Sequence, residues 1–165
     1  KDDQRVKKFV EMATIVENTA IIPEVWKMVF KAPKTAREAK AGQFVNVHRD
    51  GGQTFLRRPF GIVDADIDAG TVTIIYRLVG IGTEEMKDLR PGDVLNVEGP
   101  LGDGIFTTTP GKVLLAGGGV GLAPLIFLAK QLDHPIVLVA GKTAAEIVWT
   151  EFFRTLRRRN LRHYR

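Results

Sequence analysis

The chain of 165 residues contains neither cysteine nor serine. Without cysteine, its own residues cannot form a disulfide or hold a thiolate-bound iron–sulfur cluster. The lack of both residue types also removes the usual nucleophiles of hydrolases. These absences favour chemistry carried by a bound cofactor, which the protein holds and orients.

Histidines and long apolar runs are scarce as well. The three histidines, His48, His134 and His163, are too dispersed to match a zinc-binding spacing. No apolar run reaches the ~18 residues of a membrane-spanning helix, and the charged opening residues 1–3 do not resemble a signal peptide. We therefore expect a cytoplasmic protein with no membrane partner.

The formal net charge is +5, and much of the excess lies at the C-terminal end of the chain. Six arginines occur in the last twelve residues: Arg154, Arg157, Arg158, Arg159, Arg162 and Arg165. Few aromatic residues are interleaved with them, so the pattern favours the exposed face of a helix over a nucleic-acid contact. A non-enzymatic binding module with a nucleic-acid-contacting tail stays open as an alternative.

The apolar pattern changes near Pro110, which we take as the boundary between a first domain, residues 1–110, and a second, residues 111–165. Before Pro110, short runs rich in β-branched and aromatic residues are separated by turns, as expected for a barrel or sandwich. A short helix is predicted from Thr83, as N-cap, to Leu89. The predicted strands are Phe9–Val16, Val25–Phe30, Gln43–Val47, Thr71–Leu78 and Val94–Glu98.

After Pro110 the pattern predicts a β-α-β unit with parallel strands. Its parts are a strand at Lys112–Ala116, a glycine turn at Gly117–Gly121, a helix at Leu122–Leu132 and a strand at Pro135–Ala140. A further helix is predicted over residues 144–159, with its apolar residues on one face. A doubly wound domain needs more strands than these residues supply, so the second domain looks truncated.

The first candidate binding motif is Leu56-Arg57-Arg58-Pro59-Phe60-Gly61-Ile62. An arginine at the end of a strand offers a planar set of donors that matches a pair of phosphate oxygens. An aromatic ring such as Phe60 can cover one face of a flat heterocycle. Taken alone, the segment favours solvated surface arginines and a phenylalanine in the barrel core over a binding site, because paired charges on strands are common.

The second motif is Ile75-Tyr76-Arg77, followed by Gly80-Ile81-Gly82-Thr83 at the start of the predicted helix. Backbone N–H groups at a helix start, with glycines that allow close approach, can cradle a pyrophosphate. An ordinary helix begins in the same way, so this motif is weak by itself.

The third motif is a hydrophobic strand that runs into Gly117, Gly118, Gly119 and Gly121. Glycines at such a strand-to-helix turn keep side chains away from a bound diphosphate. The spacing departs from G-x-G-x-x-G, because Pro124 stands in place of the third glycine. We predict a nucleotide-binding turn of another type, with a tight turn that binds no ligand as the alternative.

Together these segments resemble the ferredoxin–NADP reductase-like flavoproteins, and among them the electron-transfer subunits of class B, NAD-dependent dihydroorotate dehydrogenases. The resemblance implies a six-stranded antiparallel FAD-binding β-barrel, followed by the first part of a parallel α/β nicotinamide-binding domain. It covers most of the chain and rests on the order and spacing of six segments: Gly42–Val47, Leu56–Pro59, Ile75–Arg77, Pro91–Asp93, Gly99–Gly102 and Gly117–Pro124.

The resemblance also implies residue roles. Arg58 is expected to contact the FAD diphosphate, and Phe60 to lie near the isoalloxazine ring. Gly82 and Thr83 are expected to supply phosphate contacts, while the turn at Gly117–Gly121 faces the phosphates of NAD(P)H. The implied cofactor-binding residues are Arg58, Pro59, Phe60, Gly61, Ile75, Tyr76, Arg77, Gly82, Thr83, Gly117, Gly118, Gly119 and Gly121.

The function implied by the resemblance is hydride transfer from NAD(P)H to FAD, followed by release of single electrons to a partner. That partner is expected to be an FMN-containing catalytic subunit, which oxidises dihydroorotate to orotate in pyrimidine biosynthesis. A free-standing NAD(P)H–ferredoxin reductase is the nearest alternative.

The sequence departs from the family pattern at two points. Gly61 stands where the family usually has a serine, whose hydroxyl reaches the reactive edge of the flavin. The cysteines that hold a 2Fe-2S cluster in the related subunits are absent from this chain. A cluster is therefore expected only if the full-length protein has a cysteine-bearing C-terminal part.

Overall fold

A computed structural model describes residues 7–107, 110–141, 143, 150, 151, 153 and 154. Six antiparallel strands close into a barrel in the order β1-β2-β5-β4-β3-β6, which confirms the predicted barrel. The strands are β1 Phe9–Ile22, β2 Val25–Lys31, β3 Phe44–His48, β4 Arg58–Asp66, β5 Thr71–Arg77 and β6 Val94–Leu101.

The barrel interior is filled by aliphatic side chains that alternate with outward-facing residues along each strand. In β3, for example, Val45 and Val47 are buried while their neighbours Asn46 and His48 are only partly covered. Each strand contributes at least one fully enclosed side chain, among them Ile15, Met28, Val45, Ile62, Ile74 and Leu95. Burial of this alternating set fixes the register of the strands.

Strand β4 is the one barrel strand that the residue pattern alone did not predict. It opens with Pro59 and Gly61, which weaken a β pattern, and closes with Asp64 and Asp66. Its position is fixed instead by its neighbours, since it pairs with β3 on one side and β5 on the other. Tertiary pairing therefore overrides the weak local preference.

Two short helices accompany the barrel. Helix α1, Pro33–Glu38, is absent from the sequence prediction and is held by the Glu11 carboxylate, which accepts bonds from the N–H and hydroxyl of Thr35 at 2.8 and 2.7 Å. Helix α2, Ile81–Lys87, begins earlier than predicted and has Gly80 as its N-cap. The prediction that Thr83 is the N-cap is therefore wrong.

The C-terminal end of α2 is anchored by a buried polar residue of β1. The amide of Asn18 donates to the carbonyl oxygens of Met86 and Leu89 at 2.8 and 3.0 Å. The Tyr76 hydroxyl donates to Asn18 Oδ1 at 2.9 Å. Because carbonyls at the end of a helix lack intrahelical partners, these bonds attach α2 firmly to the barrel.

The residues after Pro110 form the predicted β-α-β unit. Its parts are β7 Leu114–Gly118, a 3₁₀ turn Gly119–Leu122, α3 Ala123–Ala129 and β8 Ile136–Ala140, with β7 and β8 parallel. Helix α3 is shorter than predicted at both ends and begins just before Pro124, which is tolerated in a first helical turn. Gly117 and Gly118 belong to the strand and not to the turn, which corrects the prediction.

Helix α3 covers the outer face of the barrel at β4. Leu122, Ala123 and Ile126 pack with Val63 of β4 and Ile75 of β5 into a second buried apolar cluster. At the other end of α3, the Lys130 ammonium forms an ion pair with the Asp64 carboxylate.

The predicted boundary at Pro110 lies between β6 and β7, and the division into domains 1–110 and 111–165 stays a prediction. The predicted helix over residues 144–159 and the arginine-rich tail fall mostly outside the described residues.

Candidate functional site

A cleft of about 340 Å³ lies where the ends of β4 and β5 meet the start of α2. It brings together eight of the residues that the sequence singled out: Arg58, Pro59, Phe60, Ile75, Tyr76, Arg77, Gly82 and Thr83. Four residues that the sequence did not assign to cofactor binding complete the lining: Gly80 and Ile81 of the second motif, Val79 beside that motif, and Val120 of the third. Gly61 and the four glycines of the third motif are not among the lining residues.

The guanidinium of Arg58 lies against the backbone at the start of α2. A Cβ atom placed on Gly82 would stand 3.0 Å from Arg58 Nε and 3.4 Å from its Nη2. Arg58 Nη1 donates to the carbonyl oxygen of Leu56 at 2.9 Å, which fixes the direction of the fork. Because residue 82 is glycine, the Arg58 guanidinium and the first residues of α2 can lie on the same side of the cleft.

The side chain of Thr83 holds the backbone at the start of α2 through hydrogen bonds. Its Oγ1 accepts bonds from the N–H groups of Val79 and Gly80 at 2.9 and 3.2 Å, and its hydroxyl donates to the Gly80 carbonyl at 2.9 Å. The N–H groups of Ile81 and Gly82 occupy positions that have no intrahelical acceptor. The N–H groups of Ile81 and Gly82 are thus available as donors beside Arg58, in a helix start that Thr83 stabilises.

Two aromatic rings form the apolar floor of the cleft. Phe60 and Tyr76 have ring centroids 5.9 Å apart with an interplanar angle of 58°, a tilted contact that aromatic pairs favour. Tyr76 is 1% exposed, and its hydroxyl is used by Asn18. Burial raises the pKa of Tyr76 well above its ordinary value, so the hydroxyl stays protonated and serves the fold, not a ligand.

The rim of the cleft carries exposed apolar side chains. Val79 is 79% and Ile81 is 60% exposed, on either side of Gly80. A Cβ atom on Gly80 would meet no atom within 4 Å, so this glycine borders open space. The second motif includes Gly80 and Ile81, but the sequence does not show that they are exposed at the rim, because their exposure depends on where the closed barrel places the start of α2.

Three of the four glycines in the third motif have a structural requirement for glycine. A Cβ on Gly117 would stand 3.0 Å from Leu122 Cδ2, and one on Gly118 would stand 3.0 Å from the Ala140 carbonyl oxygen. Gly119 has φ +55°, a left-handed conformation that favours glycine. Within this turn only Val120 lines the cleft.

Gly61 faces the second unit and not the cleft. A Cβ on Gly61 would stand 3.0 Å from Pro124 Cγ and 3.6 Å from Pro124 Cβ. The ring of Pro124 therefore occupies the space that a side chain at position 61 would need.

Within the part of the chain that the structure describes, no three histidine, aspartate or glutamate side chains gather as a metal site would require. The same residues include no helix with the length and apolar character needed to cross a membrane.

Comparison with known proteins agrees with this geometry. Residues 12–106 match the model of the oxidoreductase FAD-binding domain family. The chain is 36% identical over 153 residues to the electron transfer subunit of dihydroorotate dehydrogenase B (NAD⁺) from Fusobacterium nucleatum, covering 88% of this chain and 59% of the relative. The corresponding subunit from Desulforamulus reducens is 42% identical over 116 residues, covering 69% of this chain and 44% of the relative. The chain thus spans about half the length of these curated relatives.

Solved structures show the same fold. An NADH-dependent reduced ferredoxin–NADP oxidoreductase, studied for flavin-based electron bifurcation, superposes with a TM-score of 0.72 at 30% identity, covering 82% of this chain and 50% of the other. The ferredoxin reductase of carbazole 1,9a-dioxygenase gives a TM-score of 0.76 at 19% identity, with 90% and 49% of the two chains covered. The resemblance to ferredoxin–NADP reductase-like flavoproteins is confirmed, and the chain belongs to the oxidoreductase FAD-binding domain family.

Proposed function

We propose that the cleft holds FAD, with the diphosphate between Arg58 and the start of α2 and the isoalloxazine ring beside Phe60. The observation that carries this proposal is the contact between the Arg58 guanidinium and the backbone at Gly82, which come from separate elements. A guanidinium fork and free helix-start N–H groups are complementary to the two negative phosphates of a dinucleotide.

The residues present fit this cofactor in two further respects. The cleft volume of about 340 Å³ is within the range of small-molecule sites, and its open rim leaves room for a ligand that extends along the surface. The aromatic rings of Phe60 and Tyr76 suit a flat heterocycle, and the guanidinium groups of Arg58 and Arg77 in the same lining suit its phosphates.

A flavin, when bound, converts two-electron chemistry into one-electron steps. In the proposed reaction this chain's own residues bind and orient. Arg58 and the α2 backbone hold the phosphates, Phe60 positions the ring, and the turn Gly119–Leu122 brings the nicotinamide cofactor to the same cleft through Val120. On this proposal the third motif serves NAD(P)H, and the open space beside Gly119 and Gly121 allows a ligand to approach the backbone of the turn.

We further propose that the whole protein is the electron-transfer subunit of an NAD-linked dihydroorotate dehydrogenase. Relatives with 34–42% identity carry that name, and their alignments cover 69–88% of this chain. On this proposal the partner is an FMN-containing catalytic subunit, and a 2Fe-2S cluster is held by cysteines of a further segment, since this chain has none.

The test is to purify the full-length protein and the complex it forms in its own cells. We expect flavin absorption at about 370 and 450 nm, FAD as the extracted flavin, and a copurifying FMN-containing dehydrogenase. Purified protein that contains no flavin would overturn the cofactor assignment.

A free-standing reductase is the second candidate, and the likeness to an NADH-dependent reduced ferredoxin–NADP oxidoreductase favours it. Stable isolation without a partner, together with NAD(P)H-driven reduction of ferredoxin, would select this candidate over the first. The family match and the relatives favour electron transfer over the nucleic-acid-binding alternative. The arginine-rich tail on which that alternative depends lies almost wholly outside the described residues.

A further inference from the structure

The loop between β3 and β4, residues 49–57, leads from the barrel wall to Arg58 and is fastened near its middle at two points. The Thr54 carbonyl oxygen lies 3.0 Å from His48 Nε2, which donates to it because a carbonyl oxygen can only accept. The N–H of Gln53 donates to Glu85 Oε1 at 2.7 Å. Strand β3 and helix α2 therefore hold adjacent residues of the same loop.

The Glu85 carboxylate lies directly against the backbone of this loop. Its Oε2 accepts a longer bond from the Thr54 hydroxyl at 3.5 Å, and a Cβ atom on Gly52 would stand only 2.9 Å from the same oxygen. The neighbouring carboxylate, Glu84, instead pairs with Lys87 of its own helix at 2.8 Å. Of these two adjacent carboxylates, Glu85 is the one that joins α2 to the loop.

The fastened part of the loop adjoins the residues that direct the Arg58 fork. A Cβ atom on Gly82 would stand 3.4 Å from Thr54 Cγ2 and 3.0 Å from Arg58 Nε. Two residues after Thr54, the Leu56 carbonyl accepts from Arg58 Nη1 at 2.9 Å. The loop thus packs beside Arg58 at the start of α2 and supplies the acceptor that orients its guanidinium.

The charge of Glu85 is of the wrong sign for the proposed ligand. The residue lies one turn after the start of the helix that faces the diphosphate, and like charges repel. Loss of the charge alone would therefore strengthen the binding of an anion, whereas loss of the contact with the loop would weaken it. Because the two effects have opposite signs, substitution of Glu85 can tell them apart.

We propose that Glu85 is a positioning residue for FAD binding. By holding Gly52–Thr54 against α2, it keeps the Leu56 carbonyl where it directs the Arg58 fork to the diphosphate. The inference rests on the proposed function and adds to it a residue that does not line the cleft. Because Glu85 acts through Arg58, its effect on FAD affinity depends on the presence of that arginine.

The test titrates the full-length apoprotein with FAD in the variants E85A, E85Q, E84A, R58A and E85A/R58A. E85A is expected to bind FAD about tenfold more weakly than the wild type, although it removes a negative charge. E85Q keeps an acceptor for the Gln53 N–H and is expected to stay within about threefold of the wild type. E84A, the matched control, removes the same charge from the next residue and is expected to bind FAD at least as tightly as the wild type.

The double variant separates positioning from a general loosening of the protein. E85A/R58A is expected to bind FAD within about threefold of R58A alone, because the loop then has no fork to direct. A general loosening would instead weaken FAD binding by about tenfold in both backgrounds, and that result would overturn the proposal.

Undiminished FAD affinity in E85A would also overturn the positioning role, and tighter binding in both E85A and E85Q would replace it with simple charge repulsion. Wild-type protein that takes up no FAD would instead remove the proposed function, and the role of Glu85 with it.

Discussion

At the scale of single residues, neighbouring side chains of the same type serve different purposes. Arg57 donates from Nη2 to Asn96 Oδ1 at 2.7 Å and lies 3.8 Å from the Glu98 carboxylate on the outside of the barrel. Arg58 instead turns its fork to the start of α2. The sequence shows two adjacent arginines, and only the strand register decides which one reaches the cleft.

Replacing Arg58 with alanine is expected to weaken FAD binding by about 10- to 100-fold, because charge-assisted bonds to a phosphate contribute roughly 1.5–3 kcal/mol. Arg57→Ala is the matched control and should stay within about threefold of the wild type. Titration of apoprotein with FAD, followed by flavin fluorescence, measures both. Undiminished affinity in Arg58→Ala would refute the assigned phosphate contact.

Tyr76→Phe is expected to reduce the free energy of unfolding by about 1–3 kcal/mol, since Asn18 Oδ1 loses its buried donor. FAD content should not change, because the hydroxyl does not serve the cleft. Urea unfolding and flavin extraction check the two statements. A loss of FAD without a loss of stability would show that the hydroxyl contacts the ligand.

The same hydroxyl predicts a pH dependence. Burial raises the pKa of Tyr76 in the folded state, so folding favours the protonated phenol. The stability from this group is complete below the unfolded pKa of about 10 and falls as the pH rises above that value. Alkaline unfolding curves should show this fall in the wild type and not in Tyr76→Phe.

At the scale of elements, the sequence predicts the strands that are rich in β-branched and aromatic residues. It does not predict β4, which forms because of its pairing with neighbouring strands. In Thr71–Arg77 most residues are β-branched or aromatic, and the predicted strand ends only one residue later than the observed one. Strand β4 has Pro59 and Gly61 near its start, which weaken the β pattern, and its place in the sheet depends on pairing with β3 and β5. The sequence predicts the start of α2 too late because threonine is a common N-cap residue. In the structure Thr83 is instead the third residue of the helix, and its side chain bonds back to the N-cap residue Gly80.

The sequence likewise predicts only part of the candidate site. The motifs around Arg58, Tyr76 and Gly82 supplied most of the cleft lining. Ile81 and Val120 lie within the second and third motifs and Val79 lies beside the second, but their aliphatic side chains do not indicate a ligand contact; they line the cleft because of how α2 and the turn before α3 are oriented. The sequence thus indicates most residues of the lining, while the apolar rim requires the folded geometry; the cofactor contacts of these residues stay a prediction.

The anchoring of α2 gives a prediction for the whole helix. Asn18→Ala is expected to lower the free energy of unfolding by about 2–4 kcal/mol, since the carbonyls of Met86 and Leu89 lose buried donors. Amide exchange in residues 81–87 should accelerate more than exchange in β3. Thr19→Ala, at an exposed neighbouring position, is the control, and a uniform acceleration over the barrel would contradict the local anchor.

At the scale of the whole molecule, the barrel and the β-α-β unit share buried apolar surface. Ile126→Ala is expected to cost about 2–4 kcal/mol of unfolding free energy, because its side chain is 3% exposed within that shared cluster. Ile67→Ala, at a position that is 64% exposed, should change stability by less than about 0.5 kcal/mol. Chemical denaturation measures both, and equal effects would argue against a shared core.

Closure of the barrel also decides where another strand can be added. Every barrel strand has a hydrogen-bonded neighbour on each side over at least part of its length, so among the described residues the strands that leave one whole side unpaired are β7 and β8. A further strand of this chain or of a partner can therefore pair along the whole outer side of β7 or β8. An associating subunit that approaches the barrel therefore meets mainly side chains and loops, because much of the backbone there is already hydrogen-bonded between barrel strands.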